Sequence, residues 1–490
     1  MESLHDLECL IDSGQRLITI ETEQEGCFLE GFKRLAQHSH RDCFKWTMTR
    51  GLLRLAPGFK HQTLNKDINQ LFGQILSTSR DSVFVLIDFH HFLEEPVAIR
   101  YIKDVLLNAP NQTIILLSKT IALPEDLEHL ASSYSMPLPD LAEIRKMVSD
   151  LARRYKHEKG MELMIPDTKI LEELLNHLCG MKMQDAQRIA KHAIYNDGVI
   201  DQTDIVEIAK RKFDLLNQDN VLSLELEYEA LDKVAGFDNL KQWLSLRREI
   251  FKGTVELPGA DKPKGMLLLG VQGCGKSMAA KAVAGSWHLP LLYLDFGTLY
   301  NRFFGQTEQN MRLALEIAEK MQPCVLWLDE IEKGMSANSS SDDVSKRLLG
   351  RFLTWLSENK ASVFVVATAN DVSKLPPELL RKGRFDEVFF VDLPSEQIRL
   401  EILKLHLAKR KLSLDNVDMT YIANLCEGFS GAEIEQLVVS AQYHIHAHNV
   451  EMTTELMCSL IKETKPLSVL MREQVLALQT WAKERAVQVH

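Results

Sequence analysis

The chain has 490 residues, of which 45% are hydrophobic and 26% are charged, and its formal net charge at pH 7 is −11. At roughly 150 residues per domain, this length predicts about two to four compact domains. The composition excludes a mainly disordered protein. The acidic balance disfavours a primary role in gripping nucleic acid, because such proteins present a basic surface. Protein or small-molecule partners are therefore favoured.

Eight cysteines are spread along the chain without a CxxC pair. This pattern disfavours both a disulfide framework and a zinc site. The N-terminal residues lack an apolar core of signal-peptide length, and no apolar run approaches the ~18 residues of a membrane span. We expect a cytoplasmic protein that does not contact a membrane.

Three short β-rich runs separated by amphipathic stretches predict an α/β domain over residues 1–139. The runs are RLITIET (16–22), SVFVLID (82–88) and TIILLS (113–118). Acids, lysines and leucines at three- and four-residue spacing then predict a helical, lid-like subdomain over residues 140–216. Residues 217–229 have no helical stripe, and they are expected to form a linker.

A second α/β domain is predicted over residues 230–395, with helices over residues 396–490. Its strands are MLLLG (266–270), LLYLD (291–295), CVLWLD (324–329), VFVVATAN (363–370) and VFFVDLP (388–394). The order of an α/β part followed by a helical part therefore occurs twice, which favours an internal duplication. The spacing of Gly180, Asp185, Ile189 and Ala193 matches that of Gly428, Glu433, Leu437 and Ala441, although amphipathic helices often resemble each other.

The segment GVQGCGKS fits the phosphate-loop pattern GxxxxGK[ST], and it stands between a predicted strand and a predicted helix. Its glycines let successive backbone N–H groups face the phosphates of a nucleotide. Lys276 is expected to neutralise the β- and γ-phosphates, and Ser277 to bind Mg²⁺. A chance glycine-rich turn is the alternative. The predicted ATP-binding residues here are Gly270, Val271, Gln272, Gly273, Cys274, Gly275, Lys276, Ser277 and Met278.

The segment CVLWLDEIEK places two acids at the end of a buried strand. Asp329 is expected to hold Mg²⁺, and Glu330 to polarise the attacking water. Two solvated strand-end carboxylates are the alternative, but that reading does not explain why the acids follow the phosphate loop by ~50 residues. The pair predicts hydrolysis in addition to binding.

Residues 231–445 resemble an AAA+ ATPase module. LDKVAGFDNLKQWL (231–244) resembles the segment that lies along adenine, which implies that Val234 and Ala235 contact ATP. GFSGAEIEQL (428–437) resembles the lid segment of that module. The resemblance implies that Gly431 and Ala432 lie against the nucleotide.

LPPELLRKGRFDEVFFVDLP (375–394) resembles the second region of homology, which restricts the choice to the AAA subgroup. Asn370 resembles the sensor that orients the attacking water. Arg381 and Arg384 match the arginines that reach into a neighbouring subunit's site, where a planar guanidinium suits a transferring phosphoryl group. The resemblance implies a homo-oligomeric ring, hexameric in this family. Two surface arginines on an active monomer are the alternative.

The segment NRFFGQTEQNMR (301–312) stands where this subgroup carries a pore loop. The resemblance implies that Phe303, Phe304 and Gly305 grip an extended polypeptide, because aromatic rings contact backbone and side chains alike. Ordinary core packing of the two phenylalanines is the alternative.

Almost the whole chain also resembles a narrower family, the AAA proteins first noted as a hypothetical open reading frame of algal chloroplasts and also found in bacteria. The resemblance lies in DFHHFLEEP, in ATANDVSKLPPELLRKGRFDE and in TKPLSVLMREQVLALQTWAKERA.

The first α/β domain is expected to have an AAA-like or RecA-like skeleton without nucleotide chemistry. It has no glycine loop and no lysine for phosphates, and Glu23, Glu25 and Glu30 would repel a triphosphate. Asp88 is expected to end its strand, with Phe89 directly after the acid and His90 and His91 following in place of a catalytic glutamate.

These expectations combine into an ATP- and Mg²⁺-dependent AAA+ ATPase that assembles into a ring and remodels or disassembles a protein client. An ATP-dependent conformational switch or assembly scaffold with incidental turnover is the first alternative. A nucleic-acid-associated AAA+ protein is a lesser one.

Overall fold

The computed structural model divides into two compact units, Met1–Asp140 with Lys182–Asp185, and Leu141–Met181 with Ala186–His490. The residues that it describes are 5–22, 24–38, 40–55, 66–225, 234–253, 255, 258–259, 261–296, 306–335, 342–381, 383–412 and 417–490. None of the helices in these ranges is long and apolar enough to cross a bilayer.

The first unit is built on a sheet with the strand order β3-β2-β4-β5-β1-β6 in the described residues, parallel except for the β2–β3 pair. The strands are β1 (Leu17–Glu21), β2 (Asp42–Thr47), β3 (Gly51–Arg54), β4 (Ser82–Ile87), β5 (Gln112–Ser118) and β6 (Ala131–Tyr134). The helices are α1 (His5–Asp12), α2 (Glu25–His38), α3 (Ile68–Ser77), α4 (Pro96–Asn108) and α5 (Glu125–Glu128), with a 3₁₀ turn at Phe89–Phe92.

Helices cover both faces of this sheet, which explains why its central strands are continuous apolar runs. Along β5, Ile114 and Leu116 belong to one buried cluster, while Ile115 and Leu117 belong to another. This alternation is the two-residue period of a strand whose two faces are both buried.

The second unit begins with four helices and continues into a second sheet. The first four helices are α6 (Leu141–Lys159), α7 (Thr168–Leu178), α8 (Met183–Asp197) and α9 (Gln202–Leu216), although the first three residues of α8 cluster with the first unit. The sheet order is β13-β12-β8-β11-β10-β9-β7 in the described residues. Its strands are β7 (Ser223–Glu225), β8 (Gly265–Gly270), β9 (Leu291–Asp295), β10 (Cys324–Asp329), β11 (Val363–Ala369), β12 (Glu387–Val391) and β13 (Val487–Gln488).

The helices beside this sheet are α10 (Asp238–Lys252), α11 (Lys276–Trp287), α12 (Gln306–Lys320), α13 (Ile331–Met335) and α14 (Asp342–Glu358), with 3₁₀ turns at Val372–Lys374 and Pro377–Leu380. The C-terminal helices are α15 (Glu396–Lys409), α16 (Met419–Leu425), α17 (Gly431–His448), α18 (Thr454–Glu463), α19 (Leu467–Leu470) and α20 (Arg472–Arg485). The predicted fold class, parallel sheets flanked by helices with a helical lid, is confirmed.

The two sheets share the order of five strands. In the first unit the order β6-β1-β5-β4-β2 matches β12-β8-β11-β10-β9 in the second, strand for strand along the chain. They differ at the connection where phosphates would bind. In the second unit residues 271–275 join β8 to α11, whereas in the first unit only residues 22–24 join β1 to α2.

The prediction that Asp88 ends its strand was wrong by one residue. Strand β4 ends at Ile87, and Asp88 follows it in the left-handed region with φ 54°. Glu330 follows β10 in the same way, with φ 50°. Asp88 therefore occupies the backbone position of Glu330, and the buried Ile87 occupies that of the metal-binding candidate Asp329. Asp88 itself accepts a hydrogen bond from the Ser118 hydroxyl (3.1 Å).

The segment predicted as a linker contains an edge strand. Strand β7 pairs antiparallel with β9. The Asn217 side chain accepts hydrogen bonds from the N–H groups of Val221 (3.0 Å) and Leu222 (3.2 Å), and it donates one to the Leu222 carbonyl (2.7 Å). Val221 and Leu222 are buried in the core of the second unit. The linker prediction therefore missed a strand of three residues, Ser223–Glu225.

A lysine is buried in the second unit without an ion pair among the described contacts. Lys212, in α9, has no exposed surface, and its ammonium donates a hydrogen bond to the Cys179 carbonyl (2.5 Å). Burial lowers the pKa of Lys212 to about 8. Burial and the charge of Lys212 lower the pKa of the nearby His177 to about 4. Lys212 must therefore be desolvated at a cost whenever it is charged.

Lys212→Met is expected to stabilise the second unit at pH 7. Lysine has a pKa of about 10.4 in the unfolded chain, so below pH 8 Lys212 is charged in both states and its burial lowers the free energy of unfolding by the full amount. This loss of stability disappears as the pH rises from about 8 to about 10, where the buried side chain is neutral. Replacing the charge by an apolar chain of similar length should raise the free energy of unfolding by about 1–3 kcal/mol. The gain should shrink at pH 9.5.

The measurement is the Tm of Lys212→Met and of the wild type at pH 7 and pH 9.5. Lys210→Met, on the exposed side of the same helix, is the matched control and should leave Tm unchanged. A variant that is less stable than the wild type at pH 7 would show that the buried ammonium stabilises the fold.

Candidate functional site

The predicted phosphate loop is a strand–loop–helix turn. It begins at Gly270, the last residue of β8, and ends where α11 starts at Lys276. Gly273 and Gly275 have φ of 81° and 92°, in the left-handed region that glycine tolerates best. A Cβ on Gly273 would also lie 3.0 Å from the Ser430 hydroxyl oxygen. The backbone of this loop therefore requires glycine at these positions.

Lys276 is held at the base of the loop. Its side chain is buried, and its ammonium donates hydrogen bonds to the carbonyl oxygens of Gly270 and Val271, both at 2.9 Å. Burial lowers the pKa of Lys276, although Asp329 and Glu330 act in the opposite direction. The ammonium is thus held by the loop backbone, and the charges of Glu332, Asp329 and Glu330 act on it.

Cys274 lies in the same loop, but it is not set up as a reactive thiol. Burial raises its pKa to about 12. Because the thiolate is the reactive form, a thiol with this pKa stays protonated and inert near neutral pH.

The two acids after β10 are joined through a threonine on the next strand. The Thr368 hydroxyl donates a hydrogen bond to Asp329, and its oxygen accepts one from the Glu330 N–H group (3.0 Å). One buried hydroxyl therefore fixes the carboxylate of Asp329 and the backbone of Glu330. Sequence reasoning missed Thr368, because no motif marks it.

Asn370 is oriented by two glutamates. Its side-chain amide donates a hydrogen bond to Glu330 Oε1 (2.9 Å), and its backbone N–H group donates one to Glu332 Oε1 (2.9 Å). Burial raises the pKa of Glu332. The exposed ammonium of Lys333 forms an ion pair with the other oxygen of Glu330. Glu332 and Lys333 stand beside the predicted acids in the sequence, and neither was identified as part of the site.

The lid approaches the phosphate loop directly. The backbone N–H group of Ala432, at the start of α17, donates a hydrogen bond to the Gly273 carbonyl (3.0 Å). A capping box formed by Ser430 and Glu433 begins this helix. Glu433 also accepts a hydrogen bond from the Leu467 N–H group (2.7 Å), which ties the helix to the chain that follows the lid.

These elements surround a cavity of about 370 Å³. The predicted residues that line it are Val234, Ala235, Gln272, Gly273, Cys274, Gly275, Lys276, Ser277, Met278, Asp329, Glu330, Asn370, Gly431 and Ala432. Gly270 and Val271 are not among the described lining residues, but their carbonyl oxygens accept the hydrogen bonds of the Lys276 ammonium. The lining residues that sequence reasoning missed are Phe237, Ile402, Leu405, His406 and Glu435.

Three of the lid side chains form a polar group at this cavity. Glu435 Oε1 lies 2.9 Å from the Arg410 guanidinium and 3.4 Å from His406 Nδ1. The Arg410 guanidinium lowers the pKa of Glu435. These residues come from two helices, α15 and α17, and from the residue after α15, so no short motif could have identified them.

The remaining predicted residues lie elsewhere. Neither Arg381 nor Arg384 is among the described residues that line this cavity. Arg381 is exposed and lines a separate surface cavity with Phe385 and Arg485, and the Arg384 guanidinium donates a hydrogen bond to the Glu378 carbonyl. The predicted pore-loop residues Phe303, Phe304 and Gly305 fall outside the described residues.

The described residues contain no cluster of three or more His, Cys, Asp and Glu side chains that could hold a metal ion without a ligand's help. The Ser277 hydroxyl and the Asp329 carboxylate do line the same cavity. Both are oxygen donors, and few protein ligands are typical of Mg²⁺ sites completed by phosphate oxygens and water. The donor set therefore fits Mg²⁺ bound together with a nucleotide.

Four segments of the chain match known families. Residues 266–393 match the ATPase family associated with various cellular activities (AAA), and residues 416–453 match the AAA+ lid domain. Residues 3–136 and 142–219 match the N-terminal and second domains of SpoVK-like AAA ATPases.

Similar proteins cover both the whole chain and its ATPase part. An uncharacterized AAA domain-containing protein ycf46 from Pyropia yezoensis is 35% identical over 98% of each chain. The proteasome-activating nucleotidase of Aeropyrum pernix is 30% identical over 72% of this chain and 83% of its own. The ATP-dependent zinc metalloprotease FtsH of Aquifex aeolicus is 33% identical over 42% of this chain and 34% of its own. The predicted resemblance is confirmed: this chain is an ATPase of the AAA class and belongs to the ycf46 family of AAA domain-containing proteins.

Proposed function

We propose that the chain hydrolyses ATP in the cavity beside Lys276 and that, as a homo-oligomeric ring, it uses this hydrolysis to remodel or disassemble a protein client. The observation that carries the proposal is that the predicted catalytic residues lie in two different places. A lysine, two acids and an amide line one cavity, while the two predicted arginines are not among the described residues that line it. A site divided in this way is completed by a neighbouring subunit.

The proposal assigns separate roles to Glu330, Asn370 and Lys276. Glu330 is the general base, because its carboxylate follows the strand end and is aimed by the Asn370 amide. Asn370 orients the attacking water through the same amide. Lys276 binds the β- and γ-phosphates, where an ammonium neutralises charge without becoming part of the bond changes.

Ser277 and Asp329 are the residues that would hold Mg²⁺. When bound, the ion neutralises charge on the phosphate oxygens and helps to position them for in-line attack. Thr368 keeps the Asp329 carboxylate in place by donating a hydrogen bond to it.

Arg381 and Arg384 supply the remaining positive charge, from one subunit to the site of the next. An arginine placed in this way stabilises the charge of the transition state, and such residues contribute about 10³–10⁵-fold to turnover. Assembly is then part of the active site, and a dilute monomer hydrolyses ATP slowly.

A protein client is supported by two relatives. The proteasome-activating nucleotidase and the ATP-dependent zinc metalloprotease both have names that link their ATPase modules to protein processing. The first unit, with its short connection and with Ile87 in place of a metal-binding acid, is proposed to bind a client or a neighbouring subunit without hydrolysing ATP.

A model client tests this proposal. Unfolded casein is expected to stimulate the steady-state ATPase of the assembled wild type about two- to fivefold, since an engaged polypeptide couples to the conformational step that limits turnover. Phe303→Ala should abolish the stimulation while basal turnover and ATP affinity stay unchanged. Phe303→Tyr, which retains an aromatic ring, should preserve it.

Slow basal turnover that casein, single-stranded DNA and RNA all leave unchanged would contradict client remodelling and favour a switch or scaffold. Stimulation by nucleic acid instead of casein would favour a nucleic-acid-associated role.

A further inference from the structure

The segment Val487–His490 is part of the core of the second unit. Val487 and Gln488 form β13, which pairs parallel with Phe389 and Phe390 of β12. The Val489 N–H group donates a hydrogen bond to the Phe390 carbonyl (3.2 Å), and the Val489 side chain is completely buried. This segment therefore extends the sheet that also carries the phosphate loop.

The same segment holds the start of α10. The Asn239 N–H group donates a hydrogen bond to the Val489 carbonyl (3.2 Å). The Asn239 side-chain amide donates two more, to the main-chain oxygens of Gln488 (3.0 Å) and His490 (2.8 Å). The first turn of α10 is thus fixed by residues about 250 positions away in the sequence.

The imidazole of His490 contacts the two residues that precede α10. The Phe237 N–H group donates a hydrogen bond to His490 Nδ1 (3.0 Å), and the two rings meet edge to face with centroids 5.4 Å apart. A Cβ on Gly236 would lie 2.7 Å from the same nitrogen. The ring therefore fits closely against the backbone of Gly236 and Phe237.

Phe237 needs such support because its backbone is strained. Its φ of 64° lies in the left-handed region, which bulky residues rarely adopt unless their surroundings hold them there. In this conformation the Phe237 ring lines the nucleotide cavity. It lies so near the phosphate loop that a Cβ atom added to Gly275 would be 3.6 Å from the ring. Val234 and Ala235, from the same segment, line the same cavity.

We infer that His490 is a positioning residue for ATP: its Nδ1 accepts the Phe237 N–H hydrogen bond and thereby holds the wall of the nucleotide cavity formed by residues 234–237. The inference rests on the proposed assignment of this cavity to ATP. His490 contacts the wall and is not among the described residues that line the cavity, so its loss should weaken ATP binding more than it slows the chemical step.

The protonation state of His490 decides whether it can play this role. An acceptor nitrogen requires the neutral ring with its proton on Nε2. Burial lowers the pKa of His490, Lys241 lowers it further, and Asp238 and Asp392 oppose both effects. Because the pKa is lowered from the ordinary histidine value of about 6.5, the neutral ring predominates at pH 7. Protonation in acid would turn Nδ1 into a donor facing the Phe237 N–H group.

Two variants separate the hydrogen bond from simple packing. Asn can present its Oδ1 near the position of Nδ1, whereas Leu fills space without an acceptor. At pH 7.5, His490→Leu is expected to raise the KM for ATP about 5- to 30-fold with kcat changed less than about threefold, because a buried donor loses its partner. His490→Asn should stay within about threefold of the wild-type KM. The Tm of both variants should remain within a few degrees of the wild type.

Acid provides the second readout. As the pH falls below the ordinary histidine pKa of about 6.5, the wild-type KM for ATP should rise relative to that of His490→Asn at the same pH, because only the histidine becomes a donor. Comparing the two proteins at one pH removes the titration of ATP itself.

Lys276→Ala distinguishes failure of the inference from failure of the proposed ATP site. If Lys276→Ala binds ATP as the wild type does, the cavity is wrongly assigned. If Lys276→Ala loses binding while His490→Leu keeps the wild-type KM, the inference is overturned. Equal losses of Tm and of ATP affinity in the Leu and Asn variants would also overturn it, since they would indicate a purely structural role.

Discussion

Replacing Glu330 with glutamine is expected to lower ATP turnover by about 10²–10⁴-fold, the usual contribution of a positioned general base. The amide keeps an oxygen that can accept the Asn370 hydrogen bond, so the side chain should retain its place. It cannot accept a proton from the attacking water, however. ATP affinity should stay within a few-fold of the wild type, because Lys276 and the phosphate loop are unchanged.

The measurement combines steady-state phosphate release with equilibrium binding of a fluorescent ATP analogue. Glu332→Gln is the matched control, because Glu332 lies two residues away and accepts the backbone N–H hydrogen bond of Asn370. It should lower turnover about tenfold or less, since an amide oxygen can still accept that bond. If Glu332→Gln removes more turnover than Glu330→Gln, the roles of these two acids are reversed.

Replacing both Arg381 and Arg384 with alanine is expected to lower turnover by about 10³-fold or more, as for arginines that complete a phosphoryl-transfer site. Neither side chain is among the described residues that line the nucleotide cavity of its own chain. The affinity of a single chain for ATP should therefore be unaffected. The loss is therefore expected in kcat, at protein concentrations where the wild type is assembled.

Mixing variants tests whether these arginines act on a neighbour. The double arginine variant keeps its own cavity intact, and Glu330→Gln keeps its arginines intact. Mixed assemblies of the two should recover a measurable part of wild-type turnover, because some interfaces combine one intact cavity with intact arginines. Glu330→Gln mixed with Lys276→Ala is the control, since neither partner has an intact cavity, and it should recover none. If neither mixture recovers ATP turnover, the arginines do not act on a neighbouring subunit's site.

The parts of the site that could be predicted from the sequence are those carried by short contiguous motifs. Gly273, Lys276 and Ser277 stand on one strand–loop–helix turn, and Asp329 and Glu330 stand at one strand end, so local spacing already determines their arrangement. All five residues line one cavity.

The residues that sequence reasoning missed depend on tertiary contacts. His406 and Glu435 reach the cavity from the lid, and Phe237 is held by His490 from about 250 residues away. No periodicity or motif connects such positions. Thr368 was missed for a related reason, because its role comes from the register of β11 against β10.

The error at Asp88 has a different cause. An apolar run followed by an acid looks the same whether the acid is the last residue of the strand or the first residue after it. The sign of φ separates the two cases, and φ is invisible in the sequence. The edge strand β7 was missed because it is short, and its pairing with β9 depends on a partner about 70 residues away.

The end of β4 at Ile87 also determines which substitutions could give the first unit a phosphate site. Ile87→Asp would place a carboxylate where Asp329 stands in the other half. Residues 22–24 would still be the whole connection after β1, and α2 would still begin with Glu25 where the second unit has Lys276. Recovering a phosphate site there would need a longer connection and a lysine in addition to the acid. A single substitution in the first unit is therefore not expected to replace a lost site in the second.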